Sequence, residues 1–175
     1  MYTIGKSGLA SNLLVAENQL KEKGISFYHT NRGGDITYHG PGQLVVYPRI
    51  DMESFGIGVK EYVDRLEEIV ILTIADYGLK GERLQGAKGV WLDTGTNNSR
   101  KICAIGVRCS GFVTMHGFAL NVNTDLNYFH YINPCGFVDK GVTSIAKELG
   151  REVSIDEVKS IVATKFAEIF NMDFK

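Results

Sequence analysis

The sequence predicts an α+β or mixed α/β fold, and two observations carry this prediction. Residues 101–109 and 112–121 have the composition of two strands, and Ser110-Gly111 between them is typical of a hairpin turn. Helical periodicity precedes and follows this central stretch and does not alternate with single strands, which argues against a purely parallel sheet.

Two long helices flank the predicted strands. The clearer one covers residues 59–77, where apolar side chains recur at the spacing of one helix face. The other is predicted to begin after Ser154, which has the spacing of a capping box with Glu157. The remaining predicted elements are helices at 12–23 and 143–149, which end at Gly24 and Gly150, and strands at 25–30, 43–50 and 90–92.

Length and composition favour one globular domain. The chain has 175 residues, which is enough to bury about 70% of the unfolded surface. Hydrophobic residues make up 44% and charged residues 22%, both ordinary fractions. The formal net charge of −1 provides no overall attraction to nucleic acid or to a membrane, so neither is an expected partner. We therefore expect residues 1–175 to form a single domain.

No segment has the pattern of a membrane span or a secretion signal. The longest apolar run, at 69–75, is interrupted by Thr73 and is too short to cross a bilayer. Residues 1–20 lack a charged start followed by an apolar core. The three cysteines, an odd number, fit a reducing compartment better than a disulfide framework. These features predict a cytoplasmic protein.

A glycine-rich stretch between two predicted strands is the first candidate binding segment. It runs from Arg32 to Gln43 and has four glycines within ten residues, which leaves backbone amides uncovered by side chains. Arg32, Tyr38 and His39 add polar groups and an aromatic wall, so the stretch suits a narrow ligand or an anion. It lacks the Gly-Lys-Ser/Thr ending of a Walker phosphate loop. The alternative is a hairpin loop with a structural arginine.

Cys135 and Lys101 are the candidate reactive side chains. Cys135 lies between proline and glycine, outside any periodic segment, so we expect it on an accessible loop. Cys103 and Cys109 fall within or at the end of a predicted strand, where packing is the expected role. Lys101 opens an otherwise apolar strand. It is either an exposed strand end or a lysine in a partly apolar pocket that can accept a proton.

Other chemistries are less well supported by the residue pattern. His39, His116, Cys103 and Cys109 have no tight Cys-x-x-Cys or His-x-x-x-His spacing, which argues against zinc. No Gly-x-Ser-x-Gly elbow of a serine hydrolase is present. A pair between Cys135 and the nearby His130 remains an alternative.

Three segments together resemble the lipoyl(octanoyl) transferase family. They are RGGDITYHGPGQLVVYPRI at 32–50, KICAIGVRCSGFVTMHGFALNVNTDLNYF at 101–129 and INPCG at 132–136. The resemblance extends from Tyr2 to about Ser144. It implies the biotin/lipoate protein ligase fold, a mixed, mostly antiparallel sheet with packed helices, in agreement with the α+β prediction.

The resemblance also implies an activity and its partners. The family moves an octanoyl group from octanoyl-acyl carrier protein to a lysine of lipoyl domains, which belong to 2-oxoacid dehydrogenase E2 subunits and the glycine cleavage H protein. No metal, nucleotide or other cofactor is expected.

By resemblance, Cys135 matches the acyl-accepting cysteine of the family and Lys101 its partner lysine. Passing the acyl group through cysteine divides the reaction into two easier steps. A neutral Lys101 would take the proton from Cys135, which requires its side chain to be at least partly buried. The segments that match the family's substrate-binding stretches are Arg32, Gly33, Gly34, Asp35, Ile36, Thr37, Tyr38 and His39, then Ala104, Ile105 and Gly106, then Gly117, Phe118 and Ala119.

The chain departs from the family pattern at its start, because family members carry a further helix and strand before the segment that matches Tyr2. We therefore expect a single catalytic domain that lacks these elements. Two alternative functions stay open: an ATP-dependent lipoate-protein ligase, for which cysteine is unnecessary, and a non-catalytic module that binds acyl carrier protein. The small residues Ala104, Gly106 and Gly117 are expected to leave room for an acyl chain.

Overall fold

The computed structural model describes residues 1–133 and 140–173, and within them the strands form two sheets. The strands are β1 (Tyr2–Ile4), β2 (Phe27–His29), β3 (Thr37–Tyr38), β4 (Gln43–Val46), β5 (Glu82–Leu84), β6 (Ala87–Leu92), β7 (Arg100–Ser110), β8 (Val113–Asn121) and β9 (Gly141–Val142). The helices are α1 (Glu17–Glu22), α2 (Val59–Ala75), α3 (Ile145–Leu149) and α4 (Ile155–Phe170). Short 3-10 helices cover Ala10–Asn12 and Leu126–Tyr131.

The larger sheet is built around the predicted hairpin of β7 and β8. Its strand order is β4-β8-β7-β6-β5, all antiparallel, and β9 adds a parallel pair with β7. The smaller sheet has the order β2-β1-β3, with β1 and β2 parallel. The α+β class and the mixed, mostly antiparallel sheet are therefore confirmed.

The main core lies between the larger sheet and the two long helices. Apolar residues of α2, such as Leu66 and Ile69, are completely buried against Ile102 and Leu120 of the sheet. Helix α4 packs beside α2 and contributes a stacked pair of rings, Phe166 and Phe170, 4.6 Å apart. The helices cover one face of this sheet and leave its other face for the smaller sheet.

A bulge in β7 changes which side chains face the helices. Val90 of β6 pairs with Cys103, but the next residue, Trp91, pairs with Lys101, so Ile102 is the extra residue of β7. Ile102 and Cys103 both belong to the main core, whereas Lys101 and Ala104 border a cavity on the opposite face. In regular alternation Lys101 would share the core face with Cys103. The bulge therefore turns Lys101 out of the core.

The glycine-rich stretch attaches the smaller sheet to the larger one. The backbone N–H of Gly33 donates to the Val107 carbonyl of β7 at 2.9 Å. A side chain at Gly106 would meet the Gly33 carbonyl oxygen at 2.7 Å, so this approach requires glycine at position 106. The two sheets are thus held within van der Waals distance at this point.

Element boundaries differ from the sequence prediction mainly near the N-terminus. The helix predicted at 12–23 is wrong in its first half, because α1 begins at Glu17 and Leu13 instead forms a bridge with Ile132. Periodicity alone did not predict the short strands β1, β3, β5 and β9. The Ser154 half of the predicted capping box is confirmed, because Ser154 accepts the Glu157 N–H. The predicted end of α3 is confirmed as well, since Gly150 follows it with a positive φ.

In the described part of the chain, no helix is both long and apolar enough to cross a membrane.

Glu67 of α2 ties that helix to the bulged strands. Its side chain is 3% exposed, accepts the Gly89 N–H at 3.1 Å and pairs with Arg83 Nε at 3.2 Å. We expect Glu67→Ala to lower the free energy of unfolding by about 1–3 kcal/mol, because it leaves a buried N–H without a partner. Urea unfolding measures this loss. Glu68→Ala is the control, since Glu68 pairs with the same arginine at the surface and should contribute less than about 1 kcal/mol. Equal losses of unfolding free energy in the two variants would contradict this role of Glu67.

Candidate functional site

A cavity of about 340 Å³ lies between the two sheets, and most of the predicted site residues border it. This volume is at the lower end of the range for small-molecule sites, which are typically about 300–1,000 Å³. The wall is largely apolar, with Ile105 and Phe118 from the larger sheet and Phe129 from the segment after it. The predicted site residues that border this inter-sheet cavity are Arg32, Gly34, Asp35, Ile36, Thr37, His39, Lys101, Ala104, Ile105, Gly106, Gly117, Phe118 and Ala119.

Lys101 brings an amine to this mostly apolar wall. The residue is 6% exposed, so the alternative of an exposed strand end is wrong. Its Nζ lies over the face of the Trp91 ring, 4.6 Å from the ring centroid. Val142 of β9 pairs with Lys101 and also borders the cavity. The Lys101 amine is therefore enclosed between the Trp91 ring and a largely apolar cavity.

Arg32 ties the glycine-rich stretch to β1 of the smaller sheet and also borders the cavity. Its guanidinium donates to the carbonyl and hydroxyl of Thr3 at 2.8 and 2.9 Å and to the Gly33 carbonyl at 3.0 Å. These contacts fix the glycine-rich stretch in place, as the alternative of a structural arginine predicted. Gly33 itself makes the backbone contact to β7 and lies outside the cavity wall.

The small residues on β7 and β8 divide into two groups. Gly106 and Gly117 pair across the hairpin, and each admits a neighbouring backbone: a side chain at Gly117 would meet the Val46 carbonyl oxygen at 2.2 Å. Their small size therefore serves close packing of the chain. Ala104 and Ala119, the pair two residues further on, border the cavity and leave its floor open.

The carboxylate of Asp35 accepts hydrogen bonds from neighbouring groups of the protein. It accepts the backbone N–H groups of Ile36 and Leu9 at 2.7 and 3.2 Å and the amide of Asn12. Tyr38 lies in a second, smaller core that also contains Tyr2 and Ile36. Its ring stacks on Tyr128 with 4.9 Å between the ring centroids, and it does not border the cavity. Asp35 therefore stabilises the wall that it borders, and Tyr38 supports this wall from behind.

His39 belongs to a chain of hydrogen bonds that crosses from one sheet to the other. Gln43 donates from its amide nitrogen to Asn121 at 2.9 Å, so its oxygen faces His39 Nδ1 at 2.8 Å. This arrangement requires a proton on Nδ1, and Nε2 lies 3.2 Å from the Thr3 hydroxyl, which can donate to it. Asn121 continues the chain to the Thr143 carbonyl at 3.0 Å. The network accommodates a neutral imidazole that carries its proton on Nδ1.

Electrostatics favours the same state. Burial lowers the pKa of His39, and the nearby Arg32 charge adds to this effect, although the Gln43 hydrogen bond acts in the opposite direction. His116, at the other end of the cavity, also has a lowered pKa because of burial and the charges of Arg32 and Arg108. Neither histidine is expected to carry a charge at neutral pH.

The structure describes two of the three cysteines, Cys103 and Cys109. Cys135 lies outside the described residues. Cys103 is completely buried, and burial raises the pKa of its thiol. Cys109 packs against the main core, so both strand cysteines have the packing role predicted for them. Among residues 1–133 and 140–173, no group of three His, Cys, Asp or Glu side chains is arranged to hold a metal ion.

Sequence reasoning missed three functional neighbours. Gln43 and Asn121 fix His39, and Trp91 contacts Lys101. Gln43 falls within the glycine-rich stretch, but nothing in its local pattern shows which side chain it meets. The contact of Trp91 depends on the bulge, which sequence periodicity does not reveal.

The lowered pKa of His39 predicts that the protein becomes less stable as the pH is lowered. Below about pH 6.5 the unfolded chain takes up a proton that the folded chain resists, so the free energy of unfolding should decrease from about pH 7 to about pH 5. We expect His39→Gln to flatten this dependence in urea unfolding. The exposed His130, changed to glutamine, is the control and should keep the wild-type dependence. An unchanged dependence in His39→Gln would show that His39 is not its source.

Known proteins share both the sequence and the fold. The family model of the lipoyl protein ligase A/B catalytic domain matches residues 1–167. An octanoyltransferase of Parabacteroides distasonis is 61% identical over 97% of this chain and 77% of its own length. One of Bacteroides fragilis is 62% identical over 91% of this chain and 72% of its length. The helix and strand expected before the Tyr2 segment of family members stay a prediction.

Solved structures show the fold at lower identity. A bipartite lipoate protein ligase of Thermoplasma acidophilum has a TM-score of 0.76 at 21% identity, covering 99% of this chain and 69% of its own. The biotin protein ligase of Aquifex aeolicus has a TM-score of 0.62 at 16% identity, covering 97% and 70%. With the family match over nearly its whole length, the chain belongs to the lipoyl protein ligase A/B catalytic domain family.

Proposed function

We propose that this chain transfers an octanoyl group in two steps, first to Cys135 and then to a lysine of a lipoyl domain. Octanoyl transfer in protein lipoylation follows from relatives named octanoyltransferase, which share 55–62% identity with most of the chain. The activity implies an octanoyl donor and lipoyl-domain acceptors. The observation that carries the two-step route is the buried amine of Lys101 on the wall of an apolar cavity.

The first step loads the enzyme. Neutral Lys101 takes the proton of the Cys135 thiol, and the thiolate attacks the carbonyl carbon of the donor thioester. The bond between this carbon and the donor sulfur breaks, and the donor leaves as a thiol after taking the proton from Lys101. The octanoyl group is then a thioester on Cys135.

The second step discharges the enzyme. The lysine amine of the acceptor attacks the Cys135 thioester and forms an amide, while its proton passes to Lys101 and from there to the departing thiolate of Cys135. Each step ends with a neutral Lys101, so one side chain serves both. The wall residues Ile105 and Phe118 would pack along the acyl chain, since they offer it apolar surface.

The identities of the donor and acceptor proteins are part of the same proposal. The donor is octanoyl-acyl carrier protein, and the acceptors are lipoyl domains of 2-oxoacid dehydrogenase E2 subunits and the glycine cleavage H protein. Residues of both sheets border the cavity, which supports one catalytic domain. The free thiols of Cys103 and Cys109 support action in the cytoplasm, where thiols stay reduced.

An ATP-dependent ligase is the second candidate, because the solved relatives of this fold include a lipoate-protein ligase bound with ATP. Their identity of about 20% supports the fold alone. The curated relatives with much higher identity are octanoyltransferases, which favours transfer from a thioester over activation of a free acid.

Mass spectrometry of the intact protein tests the two-step route. Mixing with octanoyl-acyl carrier protein should add one octanoyl group, peptide mapping should place it on Cys135, and a lipoyl domain should remove it. Cys135→Ser should form no adduct that transfers, and Lys101→Met should slow loading at least about a hundredfold, because general-base catalysis commonly contributes this much. Cys109→Ser is the control and should load normally. Full transfer by Cys135→Ser would rule out the proposal, and transfer only with ATP and free octanoate would favour the ligase.

The cavity predicts a preference for chain length that one residue can change. Ala104→Leu places three further carbon atoms on the cavity wall opposite Ala119, so it should slow loading from octanoyl donors more than from butanoyl donors. The ratio of the two loading rates measures this effect. Normal loading from the butanoyl donor is the internal control for folding. An unchanged ratio would place the acyl chain elsewhere.

A further inference from the structure

Trp91 lies opposite Lys101 only because of the bulge in β7. The pair Trp91 and Lys101 follows the pair Val90 and Cys103 directly on β6 but after one extra residue on β7. Without the bulge, Leu92 would stand opposite Lys101. Directly opposite residues of an antiparallel pair extend to the same face, so the bulge that turns Lys101 to the cavity also supplies its aromatic neighbour.

The contact between the two side chains is enclosed. Trp91 is 1% exposed and Lys101 is 6% exposed, and the Nζ is 4.6 Å from the ring centroid. The indole N–H of Trp91 donates to the Ala87 carbonyl at 3.3 Å, which fixes the plane of the ring. An aromatic face attracts an ammonium ion but not a neutral amine, and it does so more strongly when water is excluded.

The lysine stem is confined from its other side by the backbone of β6. A side chain at Gly89 would meet Lys101 Cε at 3.6 Å and the Cys103 carbonyl oxygen at 2.3 Å. Gly89 has a φ of +115°, and its N–H is held by the buried Glu67. The Lys101 side chain therefore runs between the Gly89 backbone and the Trp91 ring.

We propose that Trp91 is a positioning residue for the acyl transfer, because its ring face holds Lys101 at the cavity wall and stabilises the ammonium ion that forms when Lys101 takes a proton. This inference rests on the proposed function, in which Lys101 carries a proton in both steps. In the transition state for loading, positive charge develops on Nζ over the ring. The Trp91 ring face then stabilises the protonated amine more than the neutral amine.

Two variants separate the aromatic face from simple packing. Trp91→Leu removes the ring and should lower the single-turnover rate of loading by about tenfold, with the KM for the donor unchanged. Trp91→Phe keeps an aromatic face and should restore most of the rate. If both variants are slowed equally, the aromatic face is not the cause and the proposal is wrong.

A double-mutant cycle tests whether Trp91 acts through Lys101. In a Lys101→Met background, Trp91→Leu should change the residual loading rate by less than about twofold, since the charge that the ring stabilises is gone. The same tenfold loss in both backgrounds would show that Trp91 acts by another route and would overturn the proposal.

Fluorescence gives a readout that does not need activity, because Trp91 is the single tryptophan of the chain. Removing the amine with Lys101→Met should shift the emission of Trp91. Lys88→Met is the matched control: Lys88 lies on the same strand, pairs with Asp64 at the surface and should leave the emission unchanged. Equal spectra for wild type and Lys101→Met would overturn the inference. If Lys101→Met shifts the emission but the wild-type chain forms no acyl-enzyme, the contact between Trp91 and Lys101 stands and the proposed function is rejected.

Discussion

The site depends on one irregularity in the larger sheet, the extra residue in β7 opposite Val90 and Trp91. The strand must supply apolar side chains to the helix-covered core and an amine to the opposite face. Ile102 and Cys103 are adjacent and both face the core, which regular alternation does not permit. The bulge adds one residue to the strand, so Lys101 borders the cavity and its amine stays out of the main core.

The cavity exists because two sheets approach each other without merging. The Gly33 N–H bonded to Val107 and the missing side chain at Gly106 bring the glycine-rich stretch onto β7. The chain from His39 through Gln43 to Asn121 connects the sheets at a second place. Between these two attachments, Ala104 and Ala119 leave the space open. Polar contacts thus hold the rim, and the interior stays apolar for a hydrocarbon chain.

The sequence predicted the class of fold, the long helices and most of the cavity wall. The glycines of the stretch from Arg32 form a local pattern, whereas the role of Lys101 and the small residues of β7 and β8 followed from the resemblance to a known family. Two features were not predictable in this way. The role of Gly106 in admitting another backbone and the contact between Trp91 and Lys101 arise from residues distant in sequence, and the second also needs a bulge. Helix α1 was predicted too long because the pairing of Leu13 with Ile132 overrides helical periodicity.

In the proposed mechanism, the inter-sheet cavity holds the acyl chain while Lys101 transfers the proton at the reacting thioester. A crystal structure of the protein loaded with octanoyl in the absence of an acceptor tests it most directly. In that structure we expect the hydrocarbon chain between Ala104 and Phe118, with Lys101 Nζ about 3–3.5 Å from the thioester sulfur, a distance at which a proton can pass. An acyl chain outside this cavity, or a thioester out of reach of Lys101, would contradict it.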